Sequence, residues 1–354
     1  MDDAGGGLRG LRAAPTAELA EVLGRRYGID AGQSADLGGS SNLNLLVADG
    51  PARYVVRVYR PYVTAGRLGD IQLVRGVLDR AGVPCAKLVP ARDGQPWVRV
   101  GGRLVEVERF VDHDAAMDAW SRLERGLPLL GRIHSLLAPI QGSAEGRRPR
   151  FANHLDPAQV RRSTAQATAR IRAWRPEPTP AEERLARLSE QLADLVAAGE
   201  ASQAGLLPRQ LVHGDFWDNN VGFRHDRVVL VGDFDFMGAR ARIDDLALTL
   251  YFADATLGPD DSLDDRGGGD RIARLRRLVD AYDSGLDHRL TTAERAAVPW
   301  AMARQPLWAV GGWLVCLDDE QAARNLAAGL SAEAEVERAL GVVHEIDRWQ
   351  QAFV

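Results

Sequence analysis

The chain has 354 residues, of which 45% are hydrophobic and 26% charged, and its net charge is −5 at pH 7. This composition is ordinary for a folded globular protein and excludes a disordered or fibrous class. The excess of acidic residues argues against a general nucleic-acid binder, which would be basic.

Targeting and redox features are equally plain. No apolar run approaches the roughly eighteen residues of a membrane-spanning helix. The start of the chain, Met1 to Gly7, has neither the basic residues nor the apolar core of a signal peptide. The two cysteines, Cys85 and Cys316, are too few for a disulfide framework or a zinc site. We therefore expect a cytoplasmic protein without a membrane partner or a nucleic-acid partner.

The N-terminal third of the chain predicts a small sheet with little helix. Helical apolar spacing in residues 16–27 stops at Gly28, a typical helix end. A second helix is predicted at 67–80. Apolar and β-branched runs, several of them separated by glycine-bearing turns, predict strands at 43–47, 54–59, 86–92, 97–100 and 103–109.

From residue 115 onward the pattern is mainly helical. Helical spacing recurs at 123–137, 157–174, 181–198, 271–285, 292–316 and 331–351. Together these patterns predict an α+β fold with two lobes. The N-lobe, 1–110, would hold an antiparallel sheet. The C-lobe, 111–354, would be mostly helical and would carry a catalytic segment at 211–236.

That segment contains the most informative motif of the chain. Asp215 follows His213 and Gly214, Asn220 comes five residues after Asp215, and Asp233 comes eighteen residues after it. This is the spacing of a kinase catalytic loop and its metal-binding aspartate. In such sites the first aspartate accepts the proton of a hydroxyl group, while the asparagine and the second aspartate hold Mg²⁺ against the phosphates of ATP.

The motif resembles that of the aminoglycoside phosphotransferase, choline kinase and homoserine kinase-like family, which reads His-Gly-Asp-x-x-x-x-Asn. The Asp-Phe pair at 233–234 and the Asp-Leu-Ala triplet at 245–247 fill two later positions of the family pattern, and the order holds over roughly residues 35–255. The resemblance implies a two-lobed protein kinase-like fold. It also implies an ATP- and Mg²⁺-dependent phosphotransferase that acts on a hydroxyl group of a small molecule.

Four carboxylate and amide side chains are the candidates for catalysis and metal binding. Asp215 is the candidate base, and Asn220 and Asp233 offer the oxygen ligands that Mg²⁺ prefers. Asp235 alternates with Asp233 along a predicted strand and could share its face. Its role is open between supporting the metal and forming an ordinary salt bridge. A further carboxylate, Asp245, is expected to cap its helix or brace the catalytic loop.

Candidates for nucleotide binding lie in the N-lobe. The turn Gly38 to Asn42, with Ser40, Ser41 and Asn42, could cover the phosphates through backbone N–H groups, although a plain hairpin turn would look the same. Arg57 occupies the strand position at which protein kinases carry a phosphate-binding lysine, and it can grip phosphate with two N–H groups. By analogy with kinases, the connector from Glu108 to Val111, which includes Phe110, is expected to meet the adenine through its backbone groups.

One family feature is missing from the following helix. The family pattern places a glutamate there to orient the basic residue, but residues 70–74 read Asp-Ile-Gln-Leu-Val. Asp70 or Gln72 could take that role, and the sequence does not choose between them.

The acceptor is a hydroxylated small molecule whose identity the sequence leaves open. An aminoglycoside-like antibiotic or another specialised metabolite is the first hypothesis, and an amino alcohol such as homoserine or choline is the second. An acidic and aromatic pocket built from Trp308, Trp313 and Asp318–Glu320 would suit a cationic acceptor, although a buried tryptophan pair and a solvated helix end would also explain these residues. A third hypothesis is an ATP-binding pseudokinase, motivated by the missing helix glutamate and the missing lysine.

Overall fold

A computed structural model describes residues 12–38, 42–61, 63–148, 155–173, 176–203, 205–257, 270–313 and 331–354. Its N-terminal part contains an antiparallel sheet of five strands in the order β1-β2-β3-β5-β4. The strands are β1 Ser34–Asp36, β2 Leu43–Asp49, β3 Ala52–Val58, β4 Val98–Val100 and β5 Arg103–Arg109.

Helices dominate the rest of the described chain. Two belong to the N-terminal part, α1 Ala17–Val22 and α2 Ala65–Arg80. The others are α3 Trp120–Leu137, α4 Ala144–Arg147, α5 Val160–Ala173, α6 Pro180–Ala201, α7 Ile243–Thr256, α8 Arg271–Ser284, α9 Thr292–Arg304, α10 Ser331–His344 and α11 Ile346–Phe353. None of the helices in the described part of the chain is both long and apolar enough to span a membrane.

Local sequence signals account for several helix ends. The α6 helix begins with a capping box in which Thr179 and Glu182 bond to each other's backbone N–H groups, and Thr291 and Glu294 form the same box at α9. After α1 a short π-helical turn, Leu23–Tyr27, ends at Gly28. The φ of Gly28 is 73°, in the left-handed region that glycine tolerates best. These helix ends agree with the sequence prediction.

One strand prediction was wrong. Residues 86–92 form no strand, and the strand count of five is restored by β1, which the sequence did not indicate. The segment still runs beside β5, because Val89 N–H donates to Val107 O and Arg109 N–H donates to Lys87 O. Prolines at 84 and 90 bound the segment, and because proline has no N–H group a continuous ladder cannot extend through them.

The alternating side chains of β5 separate two apolar cores. Val105 and Val107 point into a small core shared with α1 on one face of the sheet. Leu104 points to the other face, into a large core that continues through α2 and the helices of the C-lobe. Because side chains alternate along a strand, Glu106 and Glu108 lie on the same face as Leu104. Two carboxylates are thus directed towards α2 and the junction between the lobes.

Two short antiparallel sheets of two strands each lie in the helical part. Strand β6, Arg209–Val212, pairs with β9, Gly238–Ala241, and strand β7, Val221–Arg224, pairs with β8, Arg227–Val231. The candidate residues lie in the two loops that connect these sheets, 213–220 and 232–237.

Candidate active site

The two loops are held side by side by backbone pairing. Val212 pairs with Gly238 where β6 ends and β9 begins, and Val221 pairs with Val231 where β7 begins and β8 ends. Gly232 N–H then donates to Asn220 O at 2.9 Å. Residues far apart in the sequence therefore come to adjacent loops.

Gly214 fits a position that no side chain could occupy. Its φ is 85°, and a Cβ atom there would lie 2.1 Å from the carbonyl oxygen of Phe236. Its N–H group donates to both carboxylate oxygens of Asp245 at 3.0 Å. Close backbone approach and the carboxylate together fix the loop just before Asp215, so the prediction that Asp245 braces the catalytic loop is confirmed.

Asp245 is supported by a buried chain of polar side chains, His134 and then Tyr282. His134 Nε2 lies 3.2 Å from an Asp245 oxygen, and His134 Nδ1 lies 2.7 Å from the hydroxyl of Tyr282. Burial alone would raise the pKa of Asp245, but its hydrogen bond with His134 and nearby positive charge hold this pKa below its usual value. Asp245 is therefore an anionic anchor, and His134 is a structural residue of the core.

His213 holds the loop and does not face the open cleft. It is fully buried, and burial lowers the pKa of the imidazole. Its Nε2 lies 2.9 Å from Gly232 O, and its Nδ1 accepts the N–H of Asp215 at 3.3 Å. Both ring nitrogens of a neutral histidine are thus used to tie the two loops together.

Asp215 and Asn220 are joined by their side chains. The Asn220 amide donates to the Asp215 carboxylate at 2.9 Å and to the Asp215 carbonyl at 2.7 Å. Asp215 is 6% exposed. Since the amide nitrogen of Asn220 faces Asp215, its carbonyl oxygen points to the other side, where it can accept a ligand.

Asp233 has the most strained backbone of the site. Its φ of 60° and ψ of 64° lie in the left-handed region, which is uncommon for a residue other than glycine. The turn leaves its side chain 24% exposed and places one oxygen 2.9 Å from Arg57 Nη1. Strained backbone of this kind concentrates at functional sites, where it aims a side chain.

The donor set at this site fits a magnesium ion. Asp233 offers a partly exposed carboxylate and Asn220 a neutral oxygen, and both are hard ligands. Among the described residues there is no group of three or more His, Cys, Asp or Glu side chains that would form a metal cage. Magnesium commonly takes only one or two protein ligands and completes its shell with water and phosphate oxygens. The pair therefore suits a metal that arrives with a nucleotide.

Asp235 does not share the position of Asp233. The chain turns at 233–236, and Asp235 is 1% exposed, with its side chain accepting a hydrogen bond from the Asn42 amide. Burial and the neighbouring charge of Asp233, against the opposing effect of Arg57, raise the pKa of Asp235 to about 7. This burial and the 3.9 Å distance from Arg57 Nη1 to the Asp235 carboxylate favour the salt-bridge role over support of the metal, the two roles that the sequence left open.

The expected nucleotide residues have mixed positions. Ser40 and Ser41 lie outside the described residues. The Asn42 side chain is buried. It accepts the N–H of Arg60 at 3.1 Å and donates to the Asp235 carboxylate, so it joins the lobes instead of lining an open turn. Glu108 is bound to Arg75 at 2.7 Å, and Phe110 N–H donates to Arg53 O at 3.0 Å.

Neither residue expected to orient Arg57 contacts it. Asp70 accepts the N–H of Ser143 at 3.1 Å, and Gln72 donates to Glu106 at 2.8 Å. Arg57 instead lies between Asp233 and Asp235. The expectation for Asp70 and Gln72 was wrong because periodicity places both on the helix but does not reveal which neighbouring segment each side faces.

Two groups near the site were missed by the sequence analysis. Trp217 follows Asp215 by two residues and stacks on Phe252 of α7 with ring centroids 4.4 Å apart. Arg67 at the start of α2 is buried and donates to backbone carbonyls of 235 and 237. A tryptophan beside a candidate catalytic aspartate could have been noted, whereas nothing in the helical pattern marked Arg67. Of the expected acceptor residues, the Trp313 side chain and Asp318–Glu320 lie outside the described part.

Residues 32–282 match the model of the phosphotransferase enzyme family. The chain belongs to this family. Among curated proteins it is similar to the homoserine kinase of Gluconacetobacter diazotrophicus, with 26% identity over 265 residues that cover 74% of each chain. A homoserine kinase of Rhodopseudomonas palustris is 25% identical over 271 residues, covering 74% of this chain and 72% of that protein.

Solved structures show the same fold. A microcompartment-associated aminopropanol kinase has a TM-score of 0.66 at 19% identity, and the match covers 92% of this chain and 97% of that one. An amicoumacin kinase in complex with AMP-PNP and Ca²⁺ has a TM-score of 0.64 at 15% identity, and the match covers 90% of this chain and 92% of that one. The predicted two-lobed protein kinase-like α+β fold is thereby confirmed. The family match shows that this chain is a phosphotransferase enzyme.

Proposed function

We propose that this phosphotransferase transfers the γ-phosphate of ATP, with Mg²⁺, to a hydroxyl group of a small molecule that carries an amino group. The observation that carries the proposal is the meeting of Asp215, Asn220 and Asp233 on two adjacent loops. The hydrogen bond between Asn220 and the Asp215 carboxylate and the open carboxylate of Asp233 support it. The proposal also includes a boundary between the N-lobe and the C-lobe at residue 110.

Asp215 acts as the proton acceptor in this mechanism. The acceptor oxygen attacks the γ-phosphorus, the bond from that phosphorus to the bridging oxygen of ADP breaks, and the hydroxyl proton passes to the Asp215 carboxylate. A hydroxyl group is a weak acid, so the carboxylate takes the proton late and mainly aligns the oxygen for attack. The fixed position of Asp215, held from the Gly214 side by Asp245, supplies that alignment.

Asn220, Asp233 and Arg57 bind the nucleotide end of the reaction. Asn220 and Asp233 would hold Mg²⁺, which when bound neutralises charge on the phosphate oxygens. Arg57 donates to Asp233 at 2.9 Å, so it lies beside the proposed metal ligand, on the side where the phosphates of ATP would bind. Its guanidinium stays charged at any physiological pH, as the missing lysine would.

An amino alcohol is the acceptor class that the relatives favour. The curated proteins named above are homoserine kinases, and similar structures include an aminopropanol kinase and a Plasmodium vivax ethanolamine kinase. Homoserine, aminopropanol and ethanolamine each carry a hydroxyl group and an amino group. The stacked pair Trp217 and Phe252, close to Asp215 in the chain and in the fold, offers an aromatic surface that suits a cationic amine.

An antibiotic is the second candidate acceptor. It is supported by the likeness to the amicoumacin kinase and to a phosphotransferase solved with gentamicin, which has a TM-score of 0.55. Aminoglycosides carry several amino groups, so this candidate needs an acceptor surface with more than one carboxylate. A resistance role would follow only from this second candidate.

The test is a panel assay with a chemical readout. Purified protein is incubated with ATP and Mg²⁺ and with homoserine, aminopropanol, ethanolamine, choline, aminoglycosides and simple sugars, and products are read by mass. We expect one amino alcohol to gain the mass of one phosphate, with ADP formed in equal amount. Phosphate gain on an aminoglycoside alone would favour the second candidate. ATP binding without transfer to any compound would contradict the proposal and favour a pseudokinase.

A further inference from the structure

A buried carboxylate lies beside Arg57 on the neighbouring strand of the sheet. Arg57 of β3 is the direct cross-strand partner of Glu106 of β5. Side chains that pair in this way stand on one face of the sheet with Cβ atoms about 4.5–5.5 Å apart. Glu106 is fully buried, so its charge acts on Arg57 with little screening by water.

Glu106 is itself fixed by three donors. Arg75 Nη1 and the hydroxyl of Tyr59 approach one of its oxygens at 2.8 and 2.9 Å, and Gln72 Nε2 approaches the other at 2.8 Å. Arg75 and Gln72 come from α2, whereas Tyr59 follows β3. Helix α2 therefore binds the carboxylate of the strand and does not supply one to Arg57.

Tyr59 links this carboxylate to Arg57. Arg57 and Tyr59 are two residues apart in extended chain, so their side chains lie on the same face. The guanidinium carbon of Arg57 is 6.0 Å from the centroid of the Tyr59 ring, while the hydroxyl at the far end of that ring donates to Glu106. The ring is buried, with 2% exposure, and its orientation is thus set by Glu106.

We propose that Glu106, acting through Tyr59 and across the strand pair, is a positioning carboxylate for the phosphate-binding Arg57, in addition to the direct ion pair of Arg57 with Asp233. Helix α2 contributes by holding Glu106 with Gln72 and Arg75, which reverses the usual arrangement in which the helix supplies the acid. The inference rests on the proposed function, because it requires that Arg57 binds the phosphates of ATP.

The test measures ATP affinity and needs no acceptor. The variants are Tyr59→Phe, which removes one hydroxyl and keeps the ring, and Glu106→Gln, which removes the charge. Each is measured in the wild-type background and together with Arg57→Met, by competition of Mg²⁺–ATP against a fluorescent ATP analogue so that weak binding stays measurable. Asp70→Asn is the matched control, since Asp70 lies on the neighbouring helix α2 but bonds to Ser143.

We expect Tyr59→Phe and Glu106→Gln each to raise the Kd of ATP by about tenfold, as the loss of a buried hydrogen bond to a charged group would. In the Arg57→Met background the same changes should alter the Kd by less than about twofold, because their effect passes through Arg57. Asp70→Asn should leave the Kd unchanged.

Three outcomes would overturn the inference. One is an unchanged Kd in both single variants. The second is a loss of affinity that persists in full in the Arg57→Met background, which would indicate a purely structural role. The third is a loss in Asp70→Asn as large as in the others. If Glu106→Gln does not fold, Tyr59→Phe and its pair with Arg57→Met decide the matter. Failure of the wild-type protein to bind ATP would instead refute the proposed function.

Discussion

Asp215 is the residue on which the chemical step depends in this account. Replacement by asparagine keeps the shape and a hydrogen-bond acceptor for Asn220 but removes the proton acceptor. We expect Asp215→Asn to lower kcat by about 10²–10⁴-fold. The Kd of ATP should stay nearly unchanged, since Asp215 is not proposed to bind the nucleotide. Steady-state kinetics with the acceptor found in the panel assay would measure kcat, and equilibrium titration would measure the Kd.

Asp226 provides the control for this prediction. It lies between β7 and β8, close to the catalytic loop in the chain, and its side chain is 78% exposed and paired with Arg125. Asp226→Asn should leave kcat unchanged. Full activity of Asp215→Asn would refute its assignment as the base.

The candidate catalytic and metal-binding residues could be identified in the sequence because their spacing is itself the signal. Asp215, Asn220 and Asp233 are read directly from the motif, and the loops bring them together as expected. Asp235 was ambiguous because strand alternation assumes an extended chain. The left-handed backbone at Asp233 ends that alternation and turns Asp235 into the interior. A single φ angle of this kind is set by tertiary packing and leaves no mark in residue types.

At the scale of elements, Arg304 joins three parts of the C-lobe. From α9 it bonds to Glu200 of α6, to Asp244 of α7 and to the carbonyl of Leu155. It is buried, with 1% exposure, and ion pairs of this kind are strongly destabilising when one partner is removed. One guanidinium group thus connects helices α6, α7 and α9.

Glu200 gives this cluster a dependence on pH. One of its carboxylate oxygens bonds to Arg304, and the other has no hydrogen-bond partner within the described part of the chain. The residue borders a cavity of about 480 Å³. Burial raises the pKa of Glu200 from its usual 4.5 to about 7, against the opposing effect of Arg304. The folded protein therefore holds this proton in a range where the unfolded chain has released it.

We expect this proton to add stability at low pH. Because the folded state binds more protons than the unfolded state between pH 4.5 and about 7, the free energy of unfolding falls as pH rises through that window. Glu200→Gln should remove this part of the slope. Urea denaturation between about pH 4 and pH 8 would measure it, with Glu124→Gln on the surface of α3 as the control. Equal slopes in wild type and Glu200→Gln would contradict the pKa assignment.

Element predictions succeeded where local signals and packing agree. Helices α6 and α9 have capping boxes, and both were predicted to begin close to their observed first residues. Residues 86–92 failed because their apolar content is that of a strand while two prolines prevent a ladder. Strand β1 was not predicted, for the opposite reason. Its three residues are exposed and mostly polar, and only their pairing with β2 makes them a strand.

At the scale of the whole molecule, Arg67 joins the lobes. From the first turn of α2 it donates to Asp235 O at 3.1 Å and to Met237 O at 2.7 Å, beside the proposed metal-binding loop. It also donates to Glu145 O and Arg148 O, each at 3.0 Å. These carbonyls belong to segments far apart in the chain, so one buried side chain fixes α2 of the N-lobe against two parts of the C-lobe.

Removing these donors should be costly. Arg67→Met would leave several carbonyl groups without their donor, and we expect the free energy of unfolding to fall by about 3 kcal/mol or more. Chemical denaturation would measure the loss. Arg80→Met, on an exposed position at the other end of α2, should change stability by less than about 0.5 kcal/mol. Similar values for the two variants would show that Arg67 does not join the lobes as described.

The two-lobed architecture could be predicted, but the contact between the lobes could not. The pattern changes from strand-rich to helix-rich near residue 110, and the motif implies the rest. The junction depends on pairs such as Asn42 with Asp235, which are 193 residues apart. No local pattern connects such residues, and the same holds for the proposed role of Glu106 beside Arg57.

The most direct test of the account is calorimetric titration of ATP into the protein with Mg²⁺ and again with EDTA. We expect Mg²⁺-dependent binding in the wild type, the same binding in Asp215→Asn, and its loss in Asp233→Ala with the fold intact. That pattern would separate the base from the metal ligand and support the proposed site. Identical ATP binding in wild type and Asp233→Ala, or no binding in the wild type, would contradict the central claim.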